Sequence, residues 1–236
     1  MAAGLFITGT GTDVGKTVVT AGLARFLAQS GKAVLPVKPV QSGGEIRDNG
    51  KMDSPDGEVY KAAGAKWNPE QQCPFIFEPA CSPHLAAKLA GGALNVVQVA
   101  DKVRALEKEG FLLVEGAGGV MVPLNDQNTM LDLMQELSYP VILVAENKLG
   151  TINETLLSIA ALKSSGLEVA GIIMTCASGP EPSLFGMAED NIKTIEKFSD
   201  VKVLATIPHI SNWDNYDSKC WQKVDEALSA MDSTYF

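Results

Sequence analysis

Residues 5–31 read LFITGTGTDVGKTVVTAGLARFLAQSG, and three features follow one another within this stretch. The apolar run at 5–10 is typical of a buried strand, GTGTDVGKT (9–17) is rich in glycine, and a helical pattern begins at residue 16. Where a glycine-rich loop joins a strand to a helix in this way, backbone N–H groups and the helix N terminus surround phosphate groups. The stretch therefore predicts a phosphate-binding loop. The plainer alternative is a turn that only connects strand to helix.

The side chains of this loop suit a nucleoside triphosphate bound with magnesium. Lys16 neutralises phosphate charge, and the Thr17 hydroxyl is placed to reach the metal ion. One departure is that the strict pattern has Gly six residues before the lysine, where Thr10 stands here. The residues predicted to contact the nucleotide in this region are Asp13, Val14, Gly15, Lys16, Thr17 and Val18.

Short apolar runs rich in Val and Ile alternate with helical patterns along the chain. The predicted strands are 5–10, 33–40, 111–116, 140–146, 169–176 and 202–208. The predicted helices are 16–30, 96–109, 129–138, 151–165, 184–198 and 217–231. This alternation predicts an α/β fold of the P-loop NTPase type, with a mostly parallel sheet and helices on both faces. We expect residues 1–236 to form a single domain, since doubly wound folds of about 200 residues need not divide.

The segment 41–81 departs from this alternation. It is rich in Gly, Pro, Asn and charge, and it shows only a short helical pattern near 57–64. Irregular insertions of this length in compact domains are usually functional or mobile. We expect part of the segment to become ordered only when a ligand binds.

Composition and charge exclude several classes of protein. Apolar residues make up 46% of the chain and charged residues 20%, the balance of a globular protein. The net charge of -9, without a dense Lys or Arg run, argues against nucleic acid as a partner. No apolar stretch reaches the roughly 18 to 20 residues that cross a membrane, and the N terminus lacks the basic region of a signal peptide. Because Cys73, Cys81, Cys176 and Cys220 form no C-x-x-C pair, we expect reduced thiols in a cytoplasmic protein with no membrane partner.

FLLVEGAGG (111–119) places a carboxylate at the end of a buried strand. In an open α/β sheet, ligands bind at this carboxyl edge. A hard cation there can use the Glu115 oxygens, and Gly116 and Gly118 allow backbone amides to approach an anion closely. The alternative is an acidic strand end followed by a loop with positive φ angles. Asp56 and Asp53 are rival sources of a second metal oxygen, and either can instead be simply solvated.

Three further motifs carry polar residues near predicted element ends. AVLPVKPVQSGG (33–44) places Lys38 at a strand end, where it would either enter the same crevice as the phosphate loop or be exposed to solvent. SPH (82–84) predicts a helix start with Ser82 as N-cap and a structural His84. KLGTINETLL (148–157) predicts a helix whose first residues form a Thr–Glu capping box and either attract a substrate carboxylate or only cap the helix.

In this order along the chain, these motifs resemble those of the dethiobiotin synthetase family. The shared segments are GTGTDVGKT, KPVQSG, SPH, LVEGAGG and KLGTIN, within about residues 4–210. The resemblance implies that ATP and Mg²⁺ are used to carboxylate 7,8-diaminopelargonic acid with CO2. In that reaction a carbamate attacks the γ-phosphate and the second amine then closes the ureido ring, which releases phosphate and leaves ADP.

The resemblance also implies a role for individual residues. Lys38 and Lys16 are the catalytic lysines, and Lys38 stabilises the carbamate. Mg²⁺ is held by Thr17, Asp56 and Glu115, and the family's spacing favours Asp56 over Asp53. Other nucleotide contacts come from Asp56, Glu115, Gly116, Ala117 and Gly118. The substrate contacts Thr12, Lys38, Ser42 and Gly118, and its carboxylate meets Gly150, Thr151 and Asn153 across the interface of a homodimer.

Thr175-Cys176 is the clearest departure from the family. After this strand, members commonly have Asn-Asp, and the Asn carboxamide both donates to and accepts from adenine. A threonine hydroxyl cannot hold that pair of hydrogen bonds, so we predict weakened selectivity for ATP. The alternative is that backbone groups near Thr206, Ile207 and Pro208 recognise the base.

Two other functions would use a similar ATP site. An ATPase switch of the partition or cell-division type carries a second lysine early in its loop, and GTGTDVGKT has none there. Residues 220–236 also lack the basic face of a membrane-binding amphipathic helix. A synthetase that aminates a cobalamin precursor is normally followed by a glutaminase domain, for which we expect no room in 236 residues.

Overall fold

The computed structural model describes residues 3–47, 50–180, 182, 186–211, 213 and 218–231, and its strands form one large sheet and two small ones. In chain order the strands are β1 (Gly4–Gly9), β2 (Val34–Val37), β3 (Val40–Ser42), β4 (Glu45–Ile46), β5 (Met52–Asp53), β6 (Phe75–Phe77), β7 (Phe111–Gly119), β8 (Val141–Glu146), β9 (Val169–Thr175) and β10 (Val203–Ile207). The large sheet has the order β10-β9-β8-β1-β7-β2, and each neighbouring pair is parallel. Of the small sheets, β3 pairs with β6 in parallel and β4 pairs with β5 antiparallel.

Helices cover the large sheet and connect its parallel strands. In chain order they are α1 (Lys16–Gln29), α2 (Pro55–Ala62), α3 (Pro69–Gln72), α4 (Pro83–Leu89), α5 (Val96–Arg104), α6 (Met130–Leu137), α7 (Thr151–Ser164), α8 (Met187–Ser199) and α9 (Ser218–Leu228). Within the described part of the chain, none of these helices has the length and apolar character to cross a membrane.

Alternate residues of the strands contribute to two hydrophobic cores, one on each face of the sheet. In β1, Phe6 joins the core that includes residues of α5 to α8, whereas Leu5 and Ile7 join the core that includes α1 and α9. All residues of β1 and β8 are buried, which explains why their sequences are continuous apolar runs rather than alternating ones. The predicted α/β fold, with a parallel sheet between two helical layers, is confirmed.

The predicted strand at 33–40 is wrong at its C-terminal end, because the large sheet keeps only Val34–Val37. Pro39 has no N–H to donate to a neighbouring strand, and the residue before a proline has restricted backbone angles. The Lys38 amide instead donates to the Gln72 carbonyl at 2.8 Å, and the chain continues into β3, outside the large sheet. The Lys38 side chain is therefore placed at the carboxyl edge of β2.

The segment 41–81 is more regular than its composition indicated, although residues 48–49 lie outside the described residues. α2 begins at Pro55, earlier than the predicted 57, because the Ser54 hydroxyl caps it by accepting from the Gly57 amide at 3.1 Å. A Cβ atom on Gly57 would lie 2.3 Å from the Trp67 ring, so glycine allows α2 to pack directly on that indole. The expectation that part of this segment becomes ordered on ligand binding stays a prediction.

Most remaining differences concern the ends of elements. β7 continues to Gly119 rather than ending at 116, and the predicted helix 96–109 is divided into α5 and a short 3-10 turn at Glu107–Glu109. The predicted starts of the last two helices, at 184 and 217, lie outside the described residues.

That residues 1–236 form a single domain stays a prediction.

Candidate active site

A cavity of about 760 Å³ opens at the carboxyl edge of the large sheet. Its walls come from the loop after β1, the chain after β2, the start of α2, the end of β7 and the start of α4. The predicted site residues that line it are Thr12, Asp13, Gly15, Lys16, Thr17, Val18, Lys38, Ser42, Asp56, Glu115, Ala117 and Gly118. The structure thus brings together motifs that are more than 100 residues apart in sequence, as expected at the carboxyl edge of an α/β sheet.

The loop between β1 and α1 has the backbone of a phosphate-binding site. Asp13 and Gly15 adopt left-handed angles, with φ of 59° and 88°, and turns of this kind present successive N–H groups to an anion. The buried Lys16 ammonium donates to the Gly11 carbonyl at 2.8 Å across the loop. Burial, and after it the charge of Lys38, lowers the pKa of Lys16 to about 8. Val14 was also predicted to contact the nucleotide. Its side chain is buried and does not line the cavity.

The buried Lys38 ammonium lies between two carboxylates, the buried Glu115 and the partly exposed Asp56. Its Nζ is 2.6 Å from Asp56 Oδ2 and 2.7 Å from Glu115 Oε1, and it also donates to the Gly116 carbonyl at 3.2 Å. Burial by itself would lower the pKa of Lys38, but the charge of Glu115 and then that of Asp56 outweigh it and hold the pKa above its usual value. Lys38 therefore stays an ammonium ion inside the protein. Gly116 takes part through this carbonyl and does not line the cavity.

Both carboxylate oxygens of Glu115 are occupied. Oε1 accepts from Lys38 and from the Thr17 hydroxyl at 2.9 Å, and Oε2 accepts from the Tyr60 hydroxyl at 2.5 Å. Burial, followed by the charge of Glu115, raises the pKa of Tyr60 well above its usual value, so the phenol remains a donor.

Tyr60 is a residue beside the site that the sequence analysis missed, as are Gln41, Cys81 and Val122 in the cavity wall. It lies in the segment 41–81, where no motif marks it, and its contact with Glu115 is far from local in sequence. A signal was nevertheless present, because Tyr60 follows Asp56 by four residues and residues at this spacing share one face of a helix.

The oxygens of Thr17, Asp56 and Glu115 suit a magnesium ion. Carboxylate and hydroxyl oxygens are hard ligands, and the position of Lys38 between the two carboxylates shows that this place already accommodates a positive charge. Asp53 faces elsewhere: its carboxylate accepts from Arg47 at 3.0 Å and from the Ser54 amide at 2.8 Å, and it does not line the cavity. The geometry therefore favours Asp56 over its rival.

The residues proposed for the substrate carboxylate lie outside this cavity. Gly150 caps α7 with a φ of 95°, Thr151 is buried, and Asn153 is exposed on the first turn. The predicted capping box is wrong, because the helix starts one residue earlier than that pattern requires and the Thr151 hydroxyl makes its contact with Thr155 at 3.5 Å instead. Lys38 lines this cavity, and Asn153 is not among the described residues that line it.

The start of α4 agrees only partly with the helix start predicted at 82–84. Ser82 occupies the N-cap position and Pro83 the first helical position, as predicted, but the Ser82 side chain makes no capping hydrogen bond within the described residues. Ser82 instead lines the cavity together with Cys81, whereas His84 does not line it.

A smaller cavity of about 90 Å³ adjoins the phosphate loop at Gly15 and Val18. It is lined by Gly15, Val18, Thr175, Cys176, Ala177, Ile207, Pro208, Ile210 and Trp213, whereas Thr206 is not among its lining residues. The Thr175 hydroxyl donates to the Val14 carbonyl at 2.8 Å, and His209 Nδ1 lies 3.0 Å from the Cys176 carbonyl. The Thr175 hydroxyl and the Cys176 carbonyl beside this cavity thus already have partners within the protein.

Several solved structures share this fold. The septum site-determining protein MinD of Pyrococcus horikoshii, described as complexed with Mg-ADP, is similar with a TM-score of 0.60 and 18% identity, over 98% of this chain and 94% of that one. A ParA family ATPase of Chlorobium tepidum gives a TM-score of 0.53 at 14% identity, over 97% and 92% of the two chains. At such identities the likeness shows the fold alone.

Sequence comparison gives much closer relatives. A family profile described as an AAA domain matches residues 3–216. The protein named ATP-dependent dethiobiotin synthetase BioD in Halalkalibacterium halodurans is 41% identical over 206 residues, which cover 86% of this chain and 84% of the relative. The protein of the same name in Anoxybacillus flavithermus is 40% identical over 222 residues, or 93% of this chain and 97% of the relative. With such identity over nearly its whole length, the chain belongs to the ATP-dependent dethiobiotin synthetase family.

Proposed function

We propose that the protein converts 7,8-diaminopelargonic acid, CO2 and ATP into dethiobiotin, ADP and phosphate, a step of biotin biosynthesis. Family membership supports the overall reaction, since the relatives are named for it. One structural observation carries the assignment: Lys38 lies in the cavity of the phosphate loop, held between Asp56 and Glu115. A buried ammonium beside a triphosphate site suits the stabilisation of an anionic nucleophile that attacks the γ-phosphate.

The first part of the proposed mechanism forms the carbamate. The substrate lies between Lys38 and the phosphate loop, with Thr12 and Ser42 on the walls beside it. One substrate amine adds to CO2 and loses a proton, and the Lys38 ammonium neutralises the resulting negative charge. This step requires no nucleophile from the protein.

The second part transfers the phosphoryl group and closes the ring. The carbamate oxygen attacks the γ-phosphate and ADP leaves, while Lys16 neutralises charge that develops on the phosphates. Thr17, Asp56 and Glu115 would hold Mg²⁺, which would supply further charge neutralisation at this site. The second substrate amine then attacks the carbamoyl carbon of the mixed anhydride, which forms the ureido ring and releases phosphate.

We also propose that the active unit is a homodimer in the cytoplasm. The position of Gly150, Thr151 and Asn153 outside the Lys38 cavity supports a site completed by a second subunit. Leu157 follows Asn153 by four residues on the same face of α7, and Leu149 lies just before the helix; both leucines are exposed.

The decisive test of the proposed reaction is whether ADP release depends on both substrates. We expect release from ATP to rise only when diaminopelargonate and bicarbonate are both present, and mass spectrometry to detect dethiobiotin in the same mixture. Release stimulated by DNA or lipid instead would favour an ATPase switch, and a requirement for glutamine would favour an amidotransferase-linked synthetase. Either result would contradict the proposal.

A separate prediction concerns the base of the nucleotide. Because the Thr175 hydroxyl donates to Val14, it cannot replace the pair of hydrogen bonds that a carboxamide makes to adenine. Such a pair contributes roughly 1–3 kcal/mol of discrimination between bases in nucleic-acid recognition. We therefore expect CTP or GTP to support turnover with kcat/KM within about two orders of magnitude of ATP. Initial rates with the three nucleotides at saturating substrate check this, and a preference for ATP above about a thousandfold would contradict it.

A further inference from the structure

Tyr60 makes a buried contact with the carboxylate proposed to bind metal, and the mechanism above assigns Tyr60 no role. Its side chain is fully buried, and its hydroxyl donates to Glu115 Oε2 at 2.5 Å. The other carboxylate oxygen, Oε1, accepts from Thr17 and Lys38. The two oxygens of Glu115 thus have different surroundings, one facing the cavity residues and the other facing Tyr60.

The position of Tyr60 is fixed by packing as well as by this hydrogen bond. Its ring meets Trp67 edge to face, with centroids 5.1 Å apart, and Trp67 in turn packs closely on Gly57. Ser54 caps the N terminus of α2, and its hydroxyl donates to Gln41 at 2.8 Å and accepts from the Gly57 amide. α2 therefore presents Asp56 and Tyr60 to the site as one rigid unit.

The hydrogen bond from the buried Tyr60 hydroxyl fixes the orientation of the Glu115 carboxylate, so that Oε1 rather than Oε2 lies beside the Thr17 hydroxyl. We propose that Tyr60 is a positioning residue of the metal site, whose hydroxyl holds Glu115 Oε2 so that Oε1, beside the Thr17 hydroxyl, is presented to Mg²⁺. The inference rests on the proposed magnesium site and adds to it the group that orients its buried ligand. Partners that orient metal ligands in this way typically change metal affinity or activity by about 10- to 100-fold when they are removed.

Tyr60→Phe tests the inference, because it removes the hydroxyl and keeps the ring that packs on Trp67. The dissociation constant of ADP is measured by calorimetry once with Mg²⁺ and once with EDTA, and the second value divided by the first is the metal ratio. We expect the metal ratio of Tyr60→Phe to fall about tenfold from that of the natural protein. The affinity measured with EDTA should remain within about twofold, since the phosphate loop is untouched.

Tyr139→Phe is the matched control. Tyr139 also donates to a carboxylate, Glu107 Oε1 at 2.5 Å, but neither residue lines the cavity. This variant loses a hydrogen bond of the same kind, and its metal ratio should equal that of the natural protein. If Tyr60→Phe is too unstable for calorimetry at room temperature, its metal ratio is measured at a lower temperature, where the same fall is expected.

The outcomes separate this inference from the function on which it rests. A metal ratio unchanged in a folded Tyr60 variant overturns the positioning role, and so does an equal loss of ADP affinity with Mg²⁺ and with EDTA, which indicates packing only. If the natural protein itself binds ADP equally well with Mg²⁺ and with EDTA, the magnesium site fails and the inference fails with it.

Discussion

Lys16→Ala is expected to abolish nucleotide-dependent turnover, whereas Lys38→Ala is expected to impair the carbamate steps and leave nucleotide binding largely intact. Lys16 lies within the phosphate loop, where its ammonium faces the position of the phosphates. Lys38 comes from a different strand end and meets Asp56 and Glu115. By analogy with other charged groups that stabilise phosphoryl transfer, Lys16→Ala should lower kcat/KM by roughly 10³-fold or more, and Lys38→Ala should lower kcat by about 10²- to 10³-fold.

Calorimetry with ADP and Mg²⁺ separates the two lysines. Lys38→Ala leaves the buried Glu115 and the partly exposed Asp56 without their ammonium partner. Saturating Mg²⁺ is therefore included to supply positive charge, and the fold of each variant is checked by circular dichroism. Lys32→Ala provides a control for lysine removal, since Lys32 lies outside the active-site cavity. An equal loss of nucleotide affinity in Lys16→Ala and Lys38→Ala would show that the division of roles is wrong.

The phosphate loop and the large sheet could be predicted from sequence because both impose strict local demands. A loop that wraps phosphates needs glycine and a lysine at the start of a helix, and GTGTDVGKT provides them within nine residues. Parallel strands between two helical layers are buried on both faces, so they appear as uninterrupted apolar runs such as PVILVAE (140–146). In both cases the pattern that determines the structure is contained in one short segment.

The missed features depend on contacts or backbone angles that no local pattern records. Tyr60 belongs to the site only because α2 packs beneath Glu115, which is 55 residues further along the chain. The Thr-x-x-Glu pattern at 151–154 matches a capping box, yet Gly150 adopts a left-handed angle and starts the helix one residue earlier. Similarly, Asp53 and Asp56 are equivalent by residue type, and the structure separates them by their partners, Arg47 for Asp53 and Lys38 for Asp56.

In the proposed dimer, the substrate site is divided between two subunits. Lys38 faces the inner cavity, while Asn153 lies at the surface beside Leu149 and Leu157, which are 85% and 63% exposed. An exposed leucine pair on either side of a polar residue is the kind of surface that a symmetric dimer buries. In a twofold dimer each site would then take Lys38 from one subunit and Asn153 from its partner.

Heterodimers that combine Lys38→Ala in one subunit with Asn153→Ala in the other are expected to regain about half the activity of the natural dimer, although each single-variant homodimer is nearly inactive. One of the two symmetry-related sites then contains both intact residues, and the other contains neither. The measurement uses co-expressed subunits carrying different tags, purified by both tags in turn. The matched control pairs a natural subunit with the Lys38→Ala/Asn153→Ala double variant, and this heterodimer should be nearly inactive because each of its sites keeps only one of the two residues. The reverse result, an inactive first heterodimer and a half-active second one, would place Lys38 and Asn153 in the same subunit's site and contradict the shared interface.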